Sequence, residues 1–268
     1  MSSLLAVLQR GVKIFDLAQP LAETTPHSPN APAFHHVLLR RHGDAVRPDG
    51  GSHASDLIVT GGHTGTHVDA LGHVSHQGRL YGGVPAAQAQ TGGRLAVLGV
   101  DQLEPMVCRG VLLDVAALHG TDVLPAGYGI TPDDLAGAAS AAGVEVRAGD
   151  VVLIRCGWGC KSDDPAAFLG LETGVPGPVE AAARWLADRG VRATGAETIA
   201  YERIPPGTGH QDLPVHRLLL VERGIPIIEV MRLDQLAAAG VREFGFVLAP
   251  LKIVGGTGSP VRPLALAD

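Results

Sequence analysis

Nine short apolar runs rich in β-branched residues recur along the chain: VKIFDL, HHVLLRR, DLIVTG, RLAVLGV, GVLLDVAAL, DVVLIRCGW, RATGAETIAY, IPIIEVM and FGFVLAPLKIVGG. Runs of this length bounded by turn residues read as strands, and several lack a polar face, which places them in a sheet covered on both sides. Helical patterns fall between the later runs. TPDDLAGAASAAGV opens with Thr131 as N-cap and Pro132 in the first turn. VPGPVEAAARWLADRGV has Pro178 near its start and Gly190 at its stop, and DLPVHRLLLVERGI offers Asp212 as cap, Pro214 in the first turn and Gly224 as stop. A strand-rich first half followed by helices describes a mixed α/β chain, and a doubly wound βαβ repeat fits it poorly. No Gly-rich phosphate loop follows the first strand, which counts against a nucleotide fold. Neither a repeat of solenoid length nor a low-complexity linker divides the chain. Its 268 residues, 46% of them hydrophobic, therefore read as a single domain, 1–268, around one mixed β-sheet core.

The formal net charge of -6 is spread along the sequence without a basic block to track a phosphate backbone, so nucleic acid is not an expected partner. The opening MSSLLAVLQRGVKIFDL has too short an apolar run for a secretory signal, and no later stretch is long enough to cross a bilayer. The expectation is a cytoplasmic protein acting on a small molecule away from membranes. Of the three cysteines, Cys156 and Cys160 flank a Gly-Trp-Gly turn and read as reduced packing thiols. No GxSxG elbow is present for serine nucleophilic catalysis.

The segment HTGTHVDALGH, residues 63–73, gathers three of the 12 histidines around an aspartate. His63, His67, Asp69 and His73 are separated by even numbers, so a straight strand would put all four on one face. Such a strand would hold His63 and His67 roughly 13 Å apart, whereas ligands of one ion bind at about 2.0 to 2.2 Å. The chain must turn between them, and Gly65 suits that turn because it lacks a Cβ. His67 and Asp69 then project together while His63 folds back, giving two nitrogens and a carboxylate, an open metal-ligand set. A helical HExxH arrangement is the alternative, but Thr64 replaces the needed glutamate. Loop histidines making ordinary hydrogen bonds are the blander reading, and it is kept for His53, His76 and His119. Glu229 lies inside the apolar run IPIIEVM, where an unpaired carboxylate would cost several kcal/mol. A partner is expected, either an arginine or a shared metal site with His216, which the helix-turn-strand connection brings near. Aromatic residues make up only 4% of the chain, so Phe34 and Trp158 are candidates for the wall of a substrate pocket, with core packing as the alternative. Arg203 is a candidate for reading a substrate carboxylate, with pairing to Glu202 or Glu197 as the alternative.

Residues 63–73 also resemble the pattern HxGTHxDxPxH of the cyclase or kynurenine-formamidase-like metal hydrolases, a family that includes isatin hydrolases; Leu71 stands where proline is usual. IFDLAQPL, VVLIRCGW, GAETIAYE and LAPLKIVGGTGSPVRPLAL are similar to that family's opening, central and closing segments, so the likeness spans most of the chain. The resemblance implies His63, His67 and Asp69 as ligands of a first metal ion, His73 as the catalytic histidine, and His216 and Glu229 as the second half of the site. In the family's zinc formamidases the counterpart of Asp69 bridges two ions, whereas its isatin enzymes use one manganese and carry glutamine at the Glu229 position. Glu229 thus leans towards two ions per chain, with zinc and manganese both open. A swivelling β/β/α fold and a homodimer or homotetramer are implied in the same way. So is hydrolysis of a non-peptide C–N bond in a small aromatic or cyclic amide, by metal-activated water with His73 as acid/base. A polyketide-type cyclase or dehydratase is one alternative. A non-catalytic metal-binding protein is another, although a structural site would usually be closed and has no use for His73.

Overall fold

Most of the apolar runs become strands, and nine strands join one mixed, curled sheet. The computed structural model describes Gln9 and residues 11–268. In chain order the sheet strands are β1 (Lys13–Asp16), β2 (His67–Asp69), β3 (Met106–Asp114), β4 (Val151–Arg155), β5 (Ala193–Ala196), β6 (Ile227–Glu229), β7 (Glu243–Leu248), β8 (Gly258–Pro260) and β9 (Leu264–Ala267). Their spatial order is β1-β9-β7-β3-β4-β5-β6-β2-β8. The four central strands β3, β4, β5 and β6 run parallel, and the pairs on either side are antiparallel. Continuous apolar runs suit the parallel centre, where both faces are covered. Val111, Leu113, Ile154 and Ile227 face one core with Leu135, Leu186 and Leu219 from the helices. Leu112, Leu153 and Ile228 face a second core with Phe15, Val68 and Phe246. The α/β class and the single mixed sheet therefore agree with the pattern of runs.

Helical segments cover the first face, and three of them correspond to the helical patterns of the sequence. Helix α1 (Pro132–Ala142) starts at Thr131 in a reciprocal capping box with Asp134, and Gly143 ends it in the left-handed region, as the composition of this segment suggests. Helix α2 (Glu180–Asp188) begins later than expected, because Pro178 is held in a short parallel pairing with Ile130. Helix α3 is an α-turn, Pro214–His216, that runs directly into a π-helical segment, Arg217–Arg223, and stops at Gly224 with φ +67°. Asp212 does not cap it: Leu213 occupies the N-cap, and the Glu202 carboxylate accepts the Val215 and His216 N–H groups from a different segment.

Three runs depart from the expected core strands. RLAVLGV contributes only Arg94–Leu95, paired with Gln90–Thr91 around the Gly92–Gly93 turn, before Leu98 bends the chain at φ +61°. HHVLLRR and DLIVTG pair as a hairpin, His35–Arg40 with Ser55–Val59, that stands in solvent instead of joining the core. Among the described residues, no helix is long and apolar enough to cross a membrane.

Gly195 of β5 lies between Leu153 of β4 and Ile228 of β6. A Cβ there would meet Met231 Sδ at 2.5 Å and both Ile228 Cβ and Leu153 Cδ2 at 3.1 Å. Gly195→Ala is expected to lower the unfolding free energy by about 1 to 3 kcal/mol through overpacking, measured by denaturant titration. Unchanged stability would mean that the sheet centre yields freely at this point.

Candidate metal centre

Strand β2 carries the centre. Its period of two places His67 and Asp69 on one face, and its antiparallel pairing with β6 sets Glu229 directly opposite His67. Opposed residues of an antiparallel pair bring their side chains together on the same face. The turn before β2 has Gly65 at φ +65°, where a Cβ would also strike Leu21, and it folds His63 back until its ring lies 5.1 Å from that of His67. On the other side of β2, Gly258 of β8 stands opposite Asp69. A Cβ at Gly258 would lie 2.5 Å from His63 Cε1, so a bare backbone is what lets the ring fit.

Asp69 is the hub. Its Oδ1 lies 2.7 Å from His63 Nδ1 and 3.5 Å from His67 Nε2. Its Oδ2 turns the other way, 3.6 Å from His216 Nε2. Glu229 closes the group, with Oε2 3.3 Å from His67 Nε2 and Oε1 3.1 Å from His216 Nε2. Two ligand sets result, His63–His67–Asp69 and Asp69–His216–Glu229, each with donor atoms within 4.8 Å of one another. The connection from α3 through Gly224 to β6 thus brings His216 to Glu229, and no arginine pairs with Glu229 among the described residues.

The outward nitrogens are fixed. His67 Nδ1 donates to Gly65 O at 2.8 Å, and His216 Nδ1 donates to Glu202 Oε1 at 2.7 Å, which leaves each Nε2 facing the carboxylates. Asp69 Oδ2 and Glu229 Oε1 are buried and make no hydrogen bond among the described residues. Such orphaned oxygens cost about 1 to 3 kcal/mol each, more when charged. Burial opposes charge on His67, yet Glu229 and Asp69 outweigh it and raise the pKa to about 9. Burial likewise opposes ionisation of Asp69, and the surrounding histidines, His73 foremost, hold it well below the usual carboxylate range. Orphaned carboxylate oxygens facing imidazole nitrogens form a donor set that a divalent cation fits.

A cavity of about 330 Å³ opens over this group, lined by His63, His67, His73, His210, His216 and Glu229 with the apolar Val74, Ile199 and Leu213. His73 belongs to neither ligand set; it stacks on His63 with ring centroids 3.9 Å apart and keeps an exposed edge. His210 is half-buried in the same wall, and burial lowers its pKa against the pull of Glu229. Sequence reasoning missed it, because the surrounding PPGTGHQD is turn-forming and carries no periodic signal.

A family model described as "Putative cyclase" matches residues 15–203. An isatin hydrolase of Roseibium aggregatum is 32% identical over 226 residues, covering 81% of this chain and 76% of that protein. The chain belongs to the cyclase family. A kynurenine formamidase of Salinibacter ruber is 29% identical over 202 residues, 75% of this chain and 74% of its own. The crystal structure of a novel cyclase superposes with a TM-score of 0.87 at 30% identity, covering 100% of this chain and 93% of that one.

In this cyclase-family chain the three candidate substrate-binding residues stand apart from the histidine cavity. Phe34 is buried, and the neighbouring Asn30 and Ala31 line the cavity in its place. Trp158 packs in the helix-covered core with its indole N–H donated to Phe168 O. Arg203 donates to Gly127 O and lines a different cavity. It pairs with neither suggested carboxylate, since Glu202 holds His216 and Glu197 accepts the Cys156 and Gly157 N–H groups.

Gly258→Ala should displace His63 and weaken zinc binding at the His63–His67–Asp69 set at least tenfold, read by competition with a chromophoric chelator. Full affinity in the folded variant would show that His63 is not held by this contact.

Proposed function

We propose that this protein hydrolyses a non-peptide C–N bond in a small aryl or cyclic amide, using two divalent ions that share Asp69. One observation carries the reading: the two oxygens of a single buried carboxylate face two different imidazole sets, beneath a cavity that also presents a histidine outside both sets. His63, His67 and Asp69 would hold one ion, and Asp69, His216 and Glu229 the other. Zinc and manganese both suit such imidazole and carboxylate donors. Divalent ions held there supply water of lowered pKa and polarise a carbonyl oxygen.

The chain's own residues do the rest. His73 Nδ1 or Nε2, at the open edge of the ring, takes a proton from water and delivers it to the departing nitrogen. Val74, Ile199 and Leu213 form an apolar wall that excludes water and receives a ring, while His210 orients the polar end of the substrate. The names of the relatives support an amide substrate, so isatin-type cyclic amides and formylated arylamines are the first compounds to test. Cyclisation or dehydration is separated by product mass, since hydrolysis adds one water.

Turnover of one of these amides should disappear with a chelator and return with zinc or manganese. His73→Ala is expected to lower kcat by about 10²- to 10⁴-fold with metal content retained, whereas His67→Ala should lose metal as well. Undiminished turnover in His73→Ala would overturn its role, and loss of metal would make it a ligand instead.

A further inference from the structure

The carboxylate of Glu202 is 1% exposed and is engaged by three donors, all from residues 215 and 216. Oε2 accepts the Val215 N–H at 3.0 Å; Oε1 accepts the His216 N–H at 2.9 Å and the His216 Nδ1–H at 2.7 Å. No lysine or arginine pairs with it among the described residues; its one ion-pair partner is His216. We propose that Glu202 is the positioning residue of the second ion site: it fixes the rotation and tautomer of His216 and so sets the affinity of the Asp69–His216–Glu229 set. The proposal rests on the two-ion reading above.

Three physical effects converge on this one side chain. An ionised carboxylate only accepts, so Nδ1 must carry the proton, and Nε2 is left to offer its lone pair to a cation held with Asp69 and Glu229. The same oxygen grips the His216 backbone, so main chain and ring are held by one rigid anchor and the ring has no freedom to turn away. Its negative charge makes the imidazole a stronger donor to a cation, the effect known for carboxylates that back metal-binding histidines. Helix α3 has Leu213 at its N-cap and no side-chain cap of its own, so Glu202 also closes the helix N-terminus. That second duty would by itself affect folding alone, and it defines the control.

The test titrates metal-stripped wild type, Glu202→Gln and Glu202→Asp with zinc against a chromophoric chelator, alongside thermal denaturation of the metal-free proteins. Wild type should show two binding events. Glu202→Gln should weaken one of them by about 10- to 100-fold and leave the other unchanged, and Glu202→Asp should recover part of the loss by restoring the charge. If Glu202→Gln binds both ions as wild type does while its metal-free form melts earlier, Glu202 is a helix cap only; the proposal falls and the two-ion reading stands. A single event in wild type that His67→Ala abolishes and His216→Ala leaves intact overturns both. Should the Glu202 variants fail to fold, ¹⁵N-histidine spectra of zinc-loaded wild type decide: a His216 ring protonated at Nδ1 is the expected result, and one protonated at Nε2 overturns the proposal.

Discussion

Everything in the centre depends on the register between β2 and β6. Because His67 stands opposite Glu229, and Asp69 follows two residues later on the same face, two carboxylates and an imidazole meet inside a largely apolar sheet. Slipping that pairing by one residue would turn Asp69 and His67 into the opposite core and set Val68 among the ligands. Burying two carboxylates together is unfavourable unless positive charge neutralises them. The sheet can hold this pair only because imidazoles, or the cations they help bind, surround it.

The surrounding elements complete that requirement from three directions. The turn at Gly65 returns His63 to the first oxygen of Asp69, and the bare backbone of Gly258 leaves room for its ring. Helix α3 delivers His216 to the second oxygen, and its start is pinned by Glu202. The cavity above is lined by apolar side chains as well as histidines, a mixture that suits a small ring against a hydrolytic centre. Sheet, turn and helix each fix one side of Asp69, so its two oxygens face different partners.

How much of this was legible depended on the range of each interaction. The even spacing of His67 and Asp69, the need for a turn at Gly65 and the cap at Thr131 are local, and periodicity or turn chemistry exposes them. The nearness of His216 to Glu229 followed from a short helix-turn-strand connection. The cap of α3 was not legible, since Glu202 lies 13 residues before Val215 and the adjacent Asp212 carries the stronger local signal. Rarity of aromatics drew attention to Phe34 and Trp158, yet rarity says nothing about which way a ring points, and Trp158 turns into the core. The hairpin strands have the same β-branched composition as the buried ones, so composition alone did not separate the exposed from the covered. His210 sits in a turn, where position is set by tertiary packing.

The most direct measurement is anomalous diffraction at the zinc edge from crystals of the zinc-loaded protein. Two anomalous peaks are expected, one in contact with Asp69 Oδ1, His63 and His67, the other with Asp69 Oδ2, His216 and Glu229. A single peak, or one that does not touch Asp69, would contradict the account in which one shared carboxylate organises the site.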